Sequence, residues 1–359
     1  MTFDSRNRPA DGDGDGAGPV RVAVVGAGYW GPNLIRNLAE FPEAEVRWVC
    51  DLREEALTAV KRRHPEIQTS RDFMDAVRDP WVEAVAIATP VSTHYPLAKA
   101  ALECGKHVLV EKPLAASSTE ARELIDLARR HDLLLMPGHT FVYSPPVNTI
   151  RDIIDRGELG SIYFISMSRV NLGLHQKDVS VVWDLAPHDF SILLYWLGES
   201  PRSVAAMSRG CIIPDIPDVV FVSLEFDSGV VAHLELSWLA PSKLRRTTIV
   251  GSEKMVVYDD TSNEPVRVFD SGVALEPPET FGEFRLTYRT GGIVSPPIEA
   301  VEPLSVELKD FCRSVRDGST PRSSAALGLD VIYLLEAVDQ SLETGSRATV
   351  LAEARSPLA

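Results

Sequence analysis

The ten residues V-A-V-V-G-A-G-Y-W-G, from Val22 to Gly31, restrict this chain more than any other segment. The valine-rich run reads as a buried β-strand that passes straight into a glycine turn and then a helix. Gly26 allows the tight turn, Gly28 lets the backbone approach a pyrophosphate, and Gly31 lets the helix pack close to the strand. Unpaired N–H groups and the helix dipole favour phosphates at that helix N-terminus. A second strand, E-V-R-W-V-C (Glu45 to Cys50), ends on Asp51. A carboxylate about 20 residues beyond the last glycine holds a ribose 2′-OH and repels a 2′-phosphate, which favours NAD. Arg53 keeps NADP as the alternative, because a guanidinium binds phosphate bidentately; Leu52 between them belongs to the same adenosine end. Tyr29 and Trp30 occupy the variable loop positions, where amphipathic rings cover the pyrophosphate or reach substrate. For Trp30 core packing is an equal competitor.

Strand and helix then alternate up to about residue 140. Helices are expected over Asn33–Phe41, Glu54–Arg63, Asp72–Val77, Thr93–Cys104 and Thr119–His131. Strands are expected at Ala84–Ala88, His107–Val110 and L-L-L-M-P. This rhythm implies an α/β Rossmann domain, a doubly wound parallel sheet over residues 20–140. Beyond it one long helix stands near Pro187–Leu197, strand-like segments recur at 202–209, 218–226, 230–239, 244–250 and 254–258, and helices return at 305–316 and 324–343. A last strand is expected at Ala348–Leu351. Residues 141–351 thus read as a C-terminal α+β domain with a large, mostly antiparallel sheet.

The bulk properties narrow the partners. A chain of 359 residues with net charge −15 argues against nucleic acid or an anionic membrane as partner, while local basic groups still allow an anionic substrate. The four cysteines are far apart and show no metal-ligand spacing, which suggests a reducing cytoplasm and no structural metal. No apolar run approaches the roughly 20 residues a membrane span needs. Residues 1–19, with D-G-D-G-D-G at Asp11 to Gly16, read as a disordered acidic tail.

Three further motifs stand in order: I-A-T-P-V-S-T-H (Ile87 to His94), G-K-H-V-L-V-E-K-P-L (Gly105 to Leu114) and W-D-L-A-P-H-D (Trp183 to Asp189). Together they resemble the glucose–fructose oxidoreductase/inositol dehydrogenase/MocA (Gfo/Idh/MocA) family over about residues 20–345. V-N-L-G-L before the third motif is similar to bacterial members acting on nucleotide-linked sugars. The resemblance implies NAD(P)-dependent interconversion of a sugar hydroxyl and a ketone, with C3 favoured. It also implies that Glu111 contacts the nicotinamide ribose, that the Lys112–Pro113 bond is cis, and that Thr89, Pro90 and His94 line the cofactor loop. His94 equally reads as a helix start and nothing more.

Hydride transfer from a carbinol also requires loss of its O–H proton. Lys112 follows a buried strand at the ligand-binding end of a parallel sheet, so it is the candidate to stabilise an alkoxide beside the nicotinamide. His188 is the candidate proton relay. Asp184, four residues earlier, reads as the helix N-cap, a holder of the His188 ring or a ligand for a sugar hydroxyl. The helix N-terminus would keep the imidazole neutral; the bland alternative is a capping Asp beside a half-buried His. Asp189 reads as a partner of the helix dipole. For substrate, Tyr143 stands where the family frequently has arginine nearby, or simply packs. Arg169 and Asn171 follow a strand and are expected to face the cleft, Arg169 toward a carboxylate or phosphate; Lys177 reads as any solvated loop lysine. A homodimer or homotetramer is expected through the uncovered sheet face. Two other functions stay open: an NAD-dependent glycosidase with transient oxidation, and a non-catalytic dinucleotide or sugar sensor.

Overall fold

Every residue of β1 (Val20–Val25) but Arg21 is buried, as a strand covered on both faces by helices requires. In the computed structural model, which describes residues 18–173, 175, 179–276, 285–345 and 347–349, β1 is central to a six-stranded parallel sheet. The chain continues through α1 (Gly31–Glu40), β2 (Ala44–Cys50), α2 (Glu54–Arg63), β3 (Gln68–Ser70), α3 (Phe73–Arg78), β4 (Ala84–Ile87), α4 (His94–Glu103), β5 (His107–Glu111), α5 (Ser118–Arg130) and β6 (Leu135–Gly138). The order β3-β2-β1-β4-β5-β6 reverses direction beside β1, and this switch point opens the crevice where dinucleotides sit. The strand ends set Gly26, Asp51, Thr89 and Lys112 along one edge, through pairs such as Val25↔Cys50, Val25↔Ile87 and Ile87↔Val110.

The rest of the chain builds α6 (Pro145–Asp155), β7 (Ile162–Leu172), α7 (Val181–Leu197), β8 (Ser203–Arg209), β9 (Val219–Glu225), β10 (Val231–Ser237), β11 (Leu239–Gly251), β12 (Met255–Asp259), β13 (Val266–Glu276), β14 (Arg285–Val294), α8 (Pro303–Asp317), α9 (Ala325–Thr344) and β15 (Ala348–Thr349). Its nine-stranded sheet runs β14-β13-β12-β11-β7-β10-β9-β8-β15, antiparallel throughout except for β7 beside β10. Residues alternate along β10, with Ala232, Leu234 and Leu236 buried and Val231 and His233 exposed, so one face is core and the other open. α7 and α9 pack on the buried face, and α9 also reaches α5 and β6 of the first sheet.

Two expectations change here. The long helix begins at Val181 with Ser180 as N-cap, six residues before Pro187, so Asp184 lies inside the helix and does not cap it. Val181 and Val182 are fully buried, and their burial offsets the helical hydrogen bond that Pro187 cannot make. The hairpin of β13 and β14 and the helix α6 carried no recognised signal. The acidic tail up to residue 17, Lys177 and the last two residues of the expected 348–351 strand lie outside the described residues.

Candidate active site

The glycine loop is built so that side chains are excluded from it. Gly26 has φ +93°, and a Cβ there would lie 2.4 Å from the Ala88 carbonyl oxygen. At Gly31 a Cβ would meet the Gly26 carbonyl at 1.9 Å, so any larger residue pushes helix and turn apart. Gly28 is open except toward Arg53. Asp51 accepts the Ala27 backbone N–H at 2.8 Å and so ties the loop to the end of β2. Arg53 covers the same carboxylate, donating from Nε at 3.0 Å and Nη2 at 2.9 Å. Asp51 is held below the usual carboxylate range because these hydrogen bonds outweigh its burial. Tyr29 is 95 % exposed and Leu52 is exposed, whereas Trp30 packs on the core. This cradle, closed by a carboxylate at the second strand, fits a dinucleotide.

The β4 and β5 loops are tied together by His94, the first residue of α4. It is buried, with Nε2 2.8 Å from the Thr89 carbonyl and Nδ1 2.8 Å from the Pro113 carbonyl. Its ring is therefore spent on holding the two loops, behind the cofactor edge. The Thr89 hydroxyl accepts from Thr93 at 2.7 Å, and Pro90 is exposed beside it. The Lys112–Pro113 bond is cis.

Lys112 projects from the end of β5 to α7. Its Nζ donates to the Asp184 carbonyl at 2.8 Å and lies 3.7 Å from Asp184 Oδ1, with 20 % of the side chain exposed. Burial lowers its pKa, while Asp184 and Glu111 work against that shift. The other Asp184 oxygen accepts from the Trp238 indole at 3.0 Å, and among the described residues no hydrogen bond joins Asp184 to His188. His188 lies edge-on to Phe141, ring centroids 4.9 Å apart. Its pKa is pushed well down, first by burial and then by Lys112, Arg169 and Arg245. Burial and neighbouring cations, rather than the helix N-terminus, therefore keep this imidazole neutral. Asn171 stands at the Trp238 side, its Oδ1 buried with no hydrogen-bond partner among the described residues.

Two expected substrate residues are placed elsewhere. Tyr143 is buried, donating to Asp310 at 2.7 Å and accepting from the Ser323 N–H at 3.0 Å. It borders a cleft of about 890 Å³ beside α8 that contains no other residue of this cluster. Arg169 is buried in a two-pronged pair with Asp189, at 2.8 and 2.9 Å, and stacks over Phe141 at 4.7 Å. Asp189 is thus the partner of Arg169, not of the helix dipole. The family resemblance suggested Tyr143 and a strand end suggested Arg169, and neither signal carried information about which distant side chain would claim them.

Four residues of the neighbourhood were missed: Phe141, His139, Trp238 and Glu307. The first two lie in the G-H-T-F-V-Y-S-P-P segment, where a polar histidine within an otherwise apolar run was the available signal. Trp238 and Glu307 come from strand and helix positions with no local signal. Among the described residues no group of His, Cys, Asp or Glu is arranged to hold a metal ion.

Residues 20–139 match the model of an oxidoreductase family with an NAD-binding Rossmann fold, and residues 147–257 match the Gfo/Idh/MocA C-terminal domain. The chain belongs to the Gfo/Idh/MocA family. It is therefore an NAD-dependent oxidoreductase of the group that includes sugar and inositol dehydrogenases. A UDP-N-acetylglucosamine 3-dehydrogenase of Acidithiobacillus ferrooxidans is 27 % identical, covering 71 % of this chain and 80 % of that protein. The scyllo-inositol 2-dehydrogenase (NAD(+)) of Bacillus subtilis is 26 % identical over 84 % of this chain and 88 % of its own length. Among solved Gfo/Idh/MocA relatives, GenD2 from gentamicin A biosynthesis in complex with NAD superposes with TM-score 0.79 at 25 % identity, covering 96 % of this chain and all of that one. The fold-class and cofactor expectations for this Gfo/Idh/MocA chain hold, with NAD as the cofactor.

Proposed function

We propose that this enzyme interconverts a secondary hydroxyl and a ketone on a nucleotide-linked sugar, with C3 the favoured carbon. The observation that carries the reading is Lys112, half-withdrawn from water at the end of β5, between the glycine cradle and the Asp184–Trp238 contact. The similarity to a UDP-N-acetylglucosamine 3-dehydrogenase supports the nucleotide-linked sugar.

NAD, when bound, accepts or returns the hydride. Gly26, Gly28, Tyr29, Trp30 and Gly31 hold its pyrophosphate end, and Asp51, Leu52 and Arg53 its adenosine end. Thr89, Pro90, Glu111 and Pro113 shape the nicotinamide side, with His94 fixing their loops. Lys112 takes the hydroxyl proton in oxidation and returns it in reduction; burial lowers its pKa and so favours the neutral amine that oxidation needs. His188, neutral because of burial and cations, accepts a hydrogen bond from the same hydroxyl. Asp184 and Asn171 orient neighbouring sugar hydroxyls. Arg169 acts from outside the substrate contact, by fixing Phe141 against His188.

The first experiment identifies the dinucleotide that co-purifies and screens nucleotide-linked sugars, free sugars and cyclitols for NADH formation. Turnover of a nucleotide-linked sugar, lost in Lys112→Met, supports the reading. Turnover of free sugars or cyclitols alone overturns the substrate class. Glycoside cleavage without net NADH identifies the transient-oxidation reading, and tight NAD with no transfer to any sugar identifies a sensor.

The open sheet face presents the paired residues Phe164 and Val231 to solvent, an apolar contact that suits a second copy of the chain. A dimer or tetramer through this face is expected in sedimentation, and Phe164→Lys with Val231→Lys should give monomer. Monomer in the unaltered protein at micromolar concentration removes this reading. Free thiols at all four cysteines are in keeping with a cytoplasmic enzyme. Among the described residues no helix is long and apolar enough to cross a membrane.

A further inference from the structure

Trp238, between the end of β10 and the start of β11, is fixed from both sides before its ring makes any polar contact. Its N–H donates to the Asp218 carbonyl at 3.0 Å, and its carbonyl accepts the Gly173 N–H at 3.0 Å. Ser237 Oγ donates to the same Asp218 carbonyl at 3.2 Å. Asp218 is fully buried, and its carboxylate accepts the Cys211 and Ile212 N–H groups at 2.8 to 3.0 Å. The indole is 1 % exposed and has His175 edge-on to it, ring centroids 5.4 Å apart. His175 Nε2 lies 3.5 Å from Asp218 Oδ2, so Asp218 backs the ring as well as the backbone. A Cβ on Gly173 would come 2.7 Å from Trp238 Cδ1, so the ring fills space that a side chain there would take.

The one polar atom of this fixed ring is spent on α7. Nε1 donates to Asp184 Oδ2 at 3.0 Å. The other oxygen, Oδ1, stays 3.7 Å from Lys112 Nζ, outside hydrogen-bond reach, while that amine donates to the Asp184 backbone carbonyl at 2.8 Å. A carboxylate free to turn would close on an ammonium to about 2.8 Å, the length of a charge-assisted hydrogen bond. Such a contact favours the ammonium, the form that cannot accept a hydroxyl proton. Glu111 of β5 and Arg169 of β7 also act on this amine, and it acts in turn on His94, His139 and His188. Asp184 supplies the ion-pair contact, and the indole sets its distance.

We propose that Trp238 is a positioning residue for the proton transfer: by holding Asp184 Oδ2 it keeps the carboxylate off the Lys112 amine, which is then free to gain and lose the hydroxyl proton. Trp238 touches no reacting atom and acts through Asp184. His175 and Asp218 hold the indole in its turn.

The proposal rests on the reading in which Lys112 handles the proton, but its first readout is not turnover. Nitrogen NMR of the full chain with isotope-labelled lysine, saturated with NAD, follows the Lys112 titration, the signal being assigned by its loss in Lys112→Met. In Trp238→Phe the Lys112 midpoint should rise by about one unit or more, the size of an opposite-charge effect. The pH limb of kcat/KM for oxidation should move with it, a loss of about tenfold at any pH on that limb. A merely structural defect would lower the rate at every pH and leave the midpoint in place. In an Asp184→Asn background, Trp238→Phe should leave the midpoint where Asp184→Asn alone puts it. Gly173→Ala, which crowds the indole, should raise the midpoint in the same sense, and is read by the same criteria where Trp238→Phe fails to bind NAD. An unmoved or lowered midpoint, or a shift of full size in the Asp184→Asn background, overturns the proposal. If the midpoint moves as expected while Lys112→Met turns over normally, the hold of Trp238 on Asp184 stands and the role of Lys112 falls.

Discussion

Lys112 is governed by two opposing environments. Burial favours the neutral amine, while Asp184 and Glu111 favour the ammonium, and burial prevails. The oxidation needs the neutral amine, so kcat/KM in that direction should rise with pH through a midpoint below 10.5, the ordinary lysine value. Lys112→Met should remove that limb and lower turnover by about 10²–10⁴-fold, the usual span for general acid–base catalysis, with little change in NADH affinity. Steady-state pH profiles together with fluorescence titration of NADH check both halves. Asp51 carries a different dependence. Its carboxylate must serve the Ala27 N–H, Arg53 and a ribose at once, so Asp51→Asn should weaken NAD binding about tenfold, for the loss of one charge-assisted hydrogen bond. NADP should be weakened less, because the same change frees Arg53 for a 2′-phosphate; equal losses in parallel titrations would contradict this.

At the level of elements, β7 and α7 are locked by the Arg169–Asp189 pair, both side chains 5 % exposed. Breaking a buried pair strands a charge in low dielectric, which costs about 3–5 kcal/mol. Arg169→Met should therefore lower the urea midpoint strongly, and Arg169→Met with Asp189→Leu should recover most of the loss. This pair also explains why a strand-end arginine did not become an anion ligand. Its guanidinium was claimed by a carboxylate on the next helix, at a separation of twenty residues that no periodicity reveals. The start of α7 is a related case. Pro187 marks a helix beginning by local rules, yet Val181 and Val182 reach the core only if the helix starts earlier. Glu54–Arg63 shows the opposite, since its acidic first turn and basic last turn agree with its tertiary position and its ends were legible to the residue.

For the whole molecule, α9 is the joint. It packs on α5 and β6 beside the first sheet and on α7 and β8 beside the second sheet, and it buries Asp330, which meets no charge partner among the described residues. Burial raises that carboxyl to about 7 from 3.8. A folded-state pKa raised above the unfolded value gives stability that is complete below pH 4 and is lost as pH rises through 7. Asp330→Asn should therefore raise the unfolding temperature at pH 8 more than at pH 4. Thermal melts at the two values decide it, and an equal shift at both would remove the linkage.

Local chemistry was enough to reveal the dinucleotide half. A turn that only glycine can make, a helix that can approach only over glycine, and strands buried on both faces are properties of consecutive residues, and they held as read. The grouping of Lys112, Asp184 and His188 came instead from three ordered motifs that resemble the Gfo/Idh/MocA family; local pattern gave only that Asp184 and His188 are four residues apart on one helix and that Lys112 follows a buried strand. What the chain's local pattern did not contain was the pairing of groups distant in sequence. Tyr143 was taken by Asp310, Arg169 by Asp189, and Glu307 was brought from α8 to Thr140, 167 residues away. Buried polar groups must find partners wherever packing presents them, so their roles emerge only when the two sheets and the returning helices α8 and α9 are assembled.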